Sequence, residues 1–549
     1  MATQQRPTVD ASYWMVTAPG ADRPPPESDL TADVAVIGGG IAGLCTAWEL
    51  VSAGLDVVVL EADRIAAGVS GHTTAKVTAA HGLKYARLEA EHGSETAYLY
   101  GQSQQEAVDR IVALCAELGI EADLERAPAL TYLRDPEGVH DLKAEAAAAR
   151  RAGLDASYVT ETELPFEVAG AVRVDGQLQF HPRKFLLGLA ERIEAAGGRI
   201  HERSRVTALH DATRCRLTVE HPGDGGEVTG DSGGGDLGET GSGGGETGGR
   251  GVTVTARDVV IATHYPVFDR TLLLTLLEPR RELVLAAPVP TEAAPVGMFI
   301  TPEDRTRSLR SAPYDSGRRL LVVTGEAFEP GAGDVRDRFE RLDAWARTSL
   351  PGFAEADSVY RWAAQDNDSV DQLPYVGHAH PGSQHVYVAT GFGGWGMSNG
   401  VMAGRLLAAH IVGGPRPAWT ELYDPRRLPP VRDAGHAAAQ QASVAGHFVG
   451  DRLHTGEAAS LADVPRGGGA VVRLGGKPCA VHRDDTGEVT AVSARCTHLG
   501  CLVHYNDAEQ TWECPCHGSR FGTDGSVLQG PATRPLRQRE LPDLADPAE

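Results

Sequence analysis

The first regular pattern in the chain is an apolar run from Val34 to Ile37 that passes straight into glycines at 38, 39, 40 and 43. Residues 44–53 then read as a helix, and a second apolar run, Val57 to Leu60, ends on Glu61. Short continuous apolar runs suit strands covered on both faces, so the expected unit is strand, helix, strand. Residues 94–118 predict an amphipathic helix, with Ala107, Ile111, Cys115 and Leu118 on one face. Further helices are expected over 139–152, 185–196, 335–349 and 401–411. Strands are expected over 205–209, 216–219, 252–255, 259–262 and 384–389. Between residues 282 and 323 four short runs alternate apolar with polar positions, which predicts an antiparallel sheet.

The stretches between these elements divide the chain. Residues 1–32 read as an irregular lead-in that ends in three prolines. Residues 223–251 are about half glycine with almost no apolar side chains, too little to offset the entropy of ordering; a disordered insert is expected. Residues 428–452 read as a linker containing an alanine-rich helical piece. From 453 to 549 the pattern is short strands and turns, an all-β domain.

Composition narrows the function classes. The 549 residues suffice for two or three domains, and 42% hydrophobic with 23% charged residues is ordinary for a soluble chain. A net charge of −23 argues against a nucleic-acid partner. No signal-peptide pattern and no apolar stretch of membrane-spanning length is seen, so a cytoplasmic protein is expected. Of eight cysteines, Cys45, Cys115, Cys215 and Cys479 are scattered singly and read as small buried residues.

Two constellations carry chemistry. In the first, Gly38 permits a tight turn, Gly40 lets a pyrophosphate approach the backbone, and Gly43 lets helix and strand pack closely. Free N–H groups at the helix start favour phosphate, and Glu61 at the end of the second strand suits ribose hydroxyls. The polar loop holding Ser70, His72, Thr73, Thr74 and Lys76 follows directly and is expected to touch the same cofactor. A second glycine run, Gly391, Gly393 and Gly396, lacks a following strand with an acid. It is expected to aim a helix start at the far end of one cofactor rather than to bind a second. In the second constellation, Cys496 and His498 are followed by Cys514 and His517, two thiolates and two imidazoles on two short loops. Zinc accepts that set as readily as iron does. Cys501 and Cys516 are read as standing at matching places in the two loops, able to clip them together.

The C-terminal loops, their spacing and the Gly530-Pro531 that follows resemble the Rieske [2Fe–2S] domain, in which one iron takes two cysteines and the other two histidines. That resemblance implies Cys496, His498, Cys514 and His517 as ligands, a Cys501–Cys516 disulfide, and Ser519 as a hydrogen-bond donor to the cluster. High-potential relatives carry tyrosine where this chain has Phe521, so a lower potential is expected. The first part resembles the D-amino-acid oxidase/glycine oxidase family of FAD enzymes. The residues that carry it are Gly38 to Gly43, Glu61-Ala62, Thr73-Thr74, Val206, Ala262-Thr263 and Gly391 to Met397.

The resemblance implies an α/β + β architecture, a DAO-type FAD domain with an antiparallel substrate sheet followed by an all-β Rieske domain. The oxidoreductase would span 33–427. Its FAD-binding parts would be about 33–85, 165–265 and 365–412, and its substrate domain about 86–164 and 266–364. FAD would lie on Gly38, Gly40, Ile41, Ala42, Gly43, Glu61, Ala62, Ser70, Thr73, Thr74, Val206, Ala262, Thr263, Gly396 and Met397. Arg310, with Arg361 second, is the expected partner of a substrate carboxylate. His72 is the nominal point for a covalent flavin link and is not favoured. The leading function is oxidation of an amine or amino acid, with electrons leaving through the cluster to an unknown acceptor. Electron flow inward to the flavin, and a redox sensor or carrier without turnover, are the alternatives.

Overall fold

The structure is a computed structural model that describes residues 8–220, 251–268, 273–303, 306–356, 359–427 and 460–540. The linker at 428–452 and all of the glycine-rich insert but Gly251 lie outside the described residues.

Four parallel strands organise the cofactor part. Val57–Leu60 and Val252–Ile261 flank Leu30–Ile37, and Val386–Thr390 pairs with Val252–Ile261. Val34, Ala35 and Val36 have no exposed surface, which is why this strand is an unbroken apolar run. Helices Ile41–Ser52, Pro182–Ala195 and Gly396–Val412 pack into the same core. All four strands end at one edge of the sheet, where α/β sheets of this kind receive ligands.

A nine-stranded sheet covers that edge. Its order runs Thr8–Val9, Val359–Ser369, Leu277–Pro290, Arg318–Phe328, Arg307–Pro313, Met298–Thr301, Ala129–Leu133, Gly170–Val174, Ala156–Val159. Pairing is antiparallel except at Thr8–Val9 and between Met298–Thr301 and Ala129–Leu133. The C-terminal part holds two small antiparallel sheets, one from Gly468–Leu474, Lys477–Arg483 and Val489–Ser493. The other comprises His504–Asn506, Thr511–Glu513, Arg520–Phe521 and Val527–Gln529. Among the described residues no helix is long and apolar enough to cross a membrane.

Three expectations change. The lead-in is not irregular throughout: Thr8–Val9 joins the large sheet and Tyr13–Thr17 is a helix that buries Trp14. A five-residue helix is too short to leave a periodic signal. The strands expected at 252–255 and 259–262 are one strand, Val252–Ile261. Its polar Arg257-Asp258 reads as a break, yet Asp258 is buried and accepts from His385 Nδ1 at 2.9 Å. The helix expected at 401–411 begins earlier, at Gly396.

Candidate functional site

The glycine turn is sterically committed. Gly38 has φ +108°, and a Cβ there would stand 2.4 Å from the Ala262 carbonyl oxygen; one on Gly43 would stand 1.9 Å from the carbonyl oxygen of Gly38. Backbone is packed against backbone, and only glycine fits. The helix that follows starts at Ile41 with no side chain of its N-cap residue covering it. Instead Ile41 donates its N–H to Ser70 Oγ at 3.0 Å, which ties the polar loop to the helix start. Glu61 accepts from the Gly39 and Asp63 N–H groups at 2.7 and 2.9 Å. Burial nevertheless pushes its carboxyl above the usual range. Val206 is buried and lies where the pairing with Cys215–Glu220 shifts register. A Cβ on Gly400 would stand 2.6 Å from the Ile41 side chain, so the Gly396–Val412 helix lies against the first helix start. The helix that follows the second glycine run thus packs against the start of the first. A helix start with no N-cap side chain and excluded Cβ atoms suit a dinucleotide pyrophosphate, and the residues present fit FAD.

Beside this cradle is a cavity of about 850 Å³. Thr73, Thr74 and Lys76 line it from the polar loop, and Gly391, Gly393, Gly394 and Trp395 from the final loop. Arg280, Glu282 and Ser308 come from the large sheet, and Pro515 and Cys516 from the second Cys–His loop. Lys76 donates to Ser308 Oγ. Burial, with Arg310 adding repulsion, lowers its pKa to about 7. Lys84, whose ammonium lies 4.6 Å from the centre of the Tyr100 ring, is lowered by burial to about 8. His81 stacks on Trp395 with ring centres 4.4 Å apart.

The two Cys–His loops share one backbone clasp. Cys496 N–H donates to Cys501 O and Gly500 N–H to Cys496 O, at 2.9 and 3.0 Å. Cys514 N–H donates to Ser519 O and Gly518 N–H to Cys514 O, at 2.8 and 2.9 Å. Gly500 and Gly518 both take positive φ, +84° and +75°. In this clasp Cys501 stands where Ser519 does and Cys516 where His498 does, so the two cysteines do not occupy matching places in the loops. Cys501 and Cys516 are disulfide-bonded all the same. Their sulfurs fall within ligand distance of Cys514, but bonded to each other they are not thiolates and cannot serve as metal ligands. That leaves Cys496 and Cys514, which are hydrogen-bonded to each other, and the rings of His498 and His517, with centres 5.0 Å apart. His517 Nδ1 is buried with no hydrogen-bond partner, and burial lowers the ring to a pKa of about 4, the neutral form that ligates. The Ser519 hydroxyl bonds the Cys496 sulfur and accepts from Ala532 N–H at 3.0 Å. A two-Cys, two-His donor set fits a [2Fe–2S] cluster of Rieske type.

The loop carrying His517 rests on the cofactor part. The rings of His517 and Tyr265 are 5.9 Å apart, and Gln365 Nε2 donates to the Gly518 carbonyl at 3.0 Å. Nearby, Arg281 bonds both Glu509 and Glu513. Arg520 joins the same two carboxylates at 3.0 and 3.1 Å, and Gly331 N–H reaches Glu513 at 3.0 Å. Burial opposes ionisation of Glu509, but the Arg281 and Arg520 guanidiniums outweigh it and hold the carboxyl at about 2.

Arg310 is a correction. It is 1% exposed, donates to the Ala75 and Phe180 carbonyls, stands over Trp14, and does not line the cavity, so no substrate carboxylate reaches it. Arg361 is held by Asp10 of the lead-in. His72 Nδ1 faces the Gly68 carbonyl at 2.9 Å. Sequence reasoning gave no role to Tyr265 or Arg281, and placed Lys76 only within the loop expected to touch the cofactor. Lys76 closes the polar loop and was legible as a cavity residue only once the large sheet was in place.

Comparison with known proteins agrees with this geometry. The family described as FAD dependent oxidoreductase matches residues 33–410, and the Rieske [2Fe-2S] domain family matches 455–540. YhfW of Bacillus subtilis, named for a Rieske 2Fe-2S iron–sulfur protein, is 30% identical over 96% of this chain and 97% of its own. Gamma-glutamylputrescine oxidoreductase of Escherichia coli is 24% identical over 70% of this chain and 84% of its own. Among solved structures, glycine oxidase of Geobacillus kaustophilus aligns over 73% of this chain and all of its own, with TM-score 0.56 and 19% identity.

Proposed function

Given that the chain belongs to the FAD dependent oxidoreductase family and carries a Rieske [2Fe-2S] domain, we propose that it oxidises an amine or amino acid and exports the electrons singly. When bound, FAD takes two electrons as a hydride and the cluster accepts them one at a time, so the pair converts one kind of transfer into the other.

The observation that supports this reading is the shared cavity, whose wall includes both the polar loop beside the cofactor cradle and Cys516 of the cluster loop. Hydride transfer needs a neutral amine, whereas amines at neutral pH carry a proton. Lys76, with its pKa near 7, takes that proton at Nζ, and Ser308 orients the ammonium that results. Glu278 and Glu282 draw a cationic amine into the cavity. Arg280, 3.4 Å from Asp368, replaces Arg310 as the cation available to a substrate carboxylate. Trp395, stacked on His81, walls the site against water.

Anaerobic mixing with a panel of amines and amino acids tests this directly. Flavin bleaching followed by the reduced-cluster EPR signal is expected for at least one compound. If none bleaches the flavin while an external reductant fills the cluster readily, the inward direction of flow takes precedence.

A further inference from the structure

His517 is 3% exposed because its loop is packed on the cofactor part. The other loop is different: Leu499, next to His498, is 52% exposed. Beside that loop lies a cleft of about 540 Å³ lined by Arg473, Lys477, Arg495, Gly500, Cys501 and Arg539. Arg534 and Arg537 continue the basic surface. Thr497 Oγ1 donates to the Arg534 carbonyl at 2.6 Å, and Ser493 N–H to that of Arg537 at 2.7 Å.

This concentration runs against the charge of the chain as a whole, which carries 74 acidic and 51 basic residues. Elsewhere arginines are taken up by carboxylates, as in Arg151–Glu89, Arg199–Asp56 and Arg427–Asp371. Among the described residues Lys477, Arg495, Arg534, Arg537 and Arg539 form no ion pair; Glu540 is the acid next in sequence. Cations that form no ion pair, beside the loop of an exposed leucine and next to a redox centre, make a basic surface with an apolar residue at its edge. Such surfaces steer an oppositely charged partner and fix its register.

We propose that this basic surface beside Leu499 docks an acidic one-electron carrier protein, which exchanges electrons with the cluster through the Cys496–Cys501 loop. The docked loop of His517 then serves the flavin and the solvent-facing loop serves the partner. Each encounter oxidises the cluster by one electron and reduces the carrier's own centre by one, so two encounters clear one two-electron oxidation. The outward direction rests on the proposed function; the docking surface does not.

The test uses the full holoprotein, reduced with dithionite so that no substrate is needed, mixed with oxidised plastocyanin as acidic probe and with horse cytochrome c as basic control. The expected second-order rate with plastocyanin is the larger at low salt and falls steeply with added NaCl. In Lys477→Glu/Arg537→Glu it drops about tenfold or more while the cytochrome c rate rises. Zinc-substituted plastocyanin, which cannot take an electron, should show the same loss of affinity by calorimetry. Unchanged cluster EPR and midpoint potential confirm that the variant is intact, and Lys477→Gln/Arg537→Gln should fall between. A plastocyanin rate and affinity indifferent to both salt and charge reversal would overturn the proposal, as would a stronger effect on cytochrome c binding. Failure here leaves the oxidation reading standing, because the reductant bypasses the cavity.

Discussion

Arg281 and Glu513, both without exposed side-chain surface, meet across the boundary between the large sheet and the Rieske domain. Without Arg281 both Glu509 and Glu513 would keep only Arg520, a residue of their own domain, as an ion-pair partner among the described residues, so the ionic tie across the boundary would be lost. Arg281→Met is therefore expected to loosen the docked domain. The rate of cluster reduction after flavin reduction, read by stopped flow, should fall at least tenfold while both cofactors keep their spectra. An unchanged rate would mean that Gln365 and the cluster loop suffice to hold the interface.

The same interface has a pH limit. Glu509 is held near 2 against an ordinary 4.5, so its contribution is complete above 4.5 and is lost as pH falls toward 2. Limited proteolysis at pH 3 and pH 6 checks it: the low-pH sample should be cut faster, and Glu509→Gln should already be fast at pH 6.

Lys76 gives a second pH dependence, in the neutral range. Its pKa is lowered to about 7, so the neutral form that accepts a proton is present above that pH. Single-turnover flavin reduction should rise through an inflection near pH 7. In Lys76→Met the inflection should vanish and the rate at pH 8 fall by about 10²-fold, the usual scale for a lost general base. A retained inflection assigns the proton to another group.

How much of this was legible in the sequence depends on whether the partners were local. Gly38, Gly43 and Glu61 sit within one strand–helix–strand unit, where spacing alone carries the signal. The Cys–His loops were legible for the same reason. Arg310 misled because its burial comes from Trp14, a residue of the lead-in that no periodicity marks. Arg281 was silent because its carboxylate partner lies 232 residues further on. The assumed equivalence of Cys501 and Cys516 failed because backbone clasps, not residue types, set the loop correspondence.

Phe521 and Ser519 should move the cluster potential in opposite senses. Ser519 bonds the Cys496 sulfur, and a hydrogen bond to sulfur favours the reduced state. Ser519→Ala should lower the midpoint. Phe521 is fully buried in the core that holds Cys496 and Cys514, and a hydroxyl added there by Phe521→Tyr should raise the midpoint if it donates to the cluster sulfurs. Redox titration followed by EPR separates the two; the same sign for both would refute the argument.

Gly38→Ala tests the cradle. Its Cβ would collide with the Ala262 carbonyl at a φ that L residues rarely adopt. The purified variant should lose most of its FAD absorbance while the Rieske EPR signal stays.

Gly518 lies so close to the large sheet that a Cβ on it would stand 2.3 Å from Gln365 Nε2 and 2.9 Å from Pro279 Cβ. The interface is thus tailored down to the absence of a single methyl group. The two halves are not interchangeable parts. A Rieske domain grafted from another protein would have to bring glycine at this place and acids opposite Arg281. Gene fusion could join such halves once, but from then on they must change together.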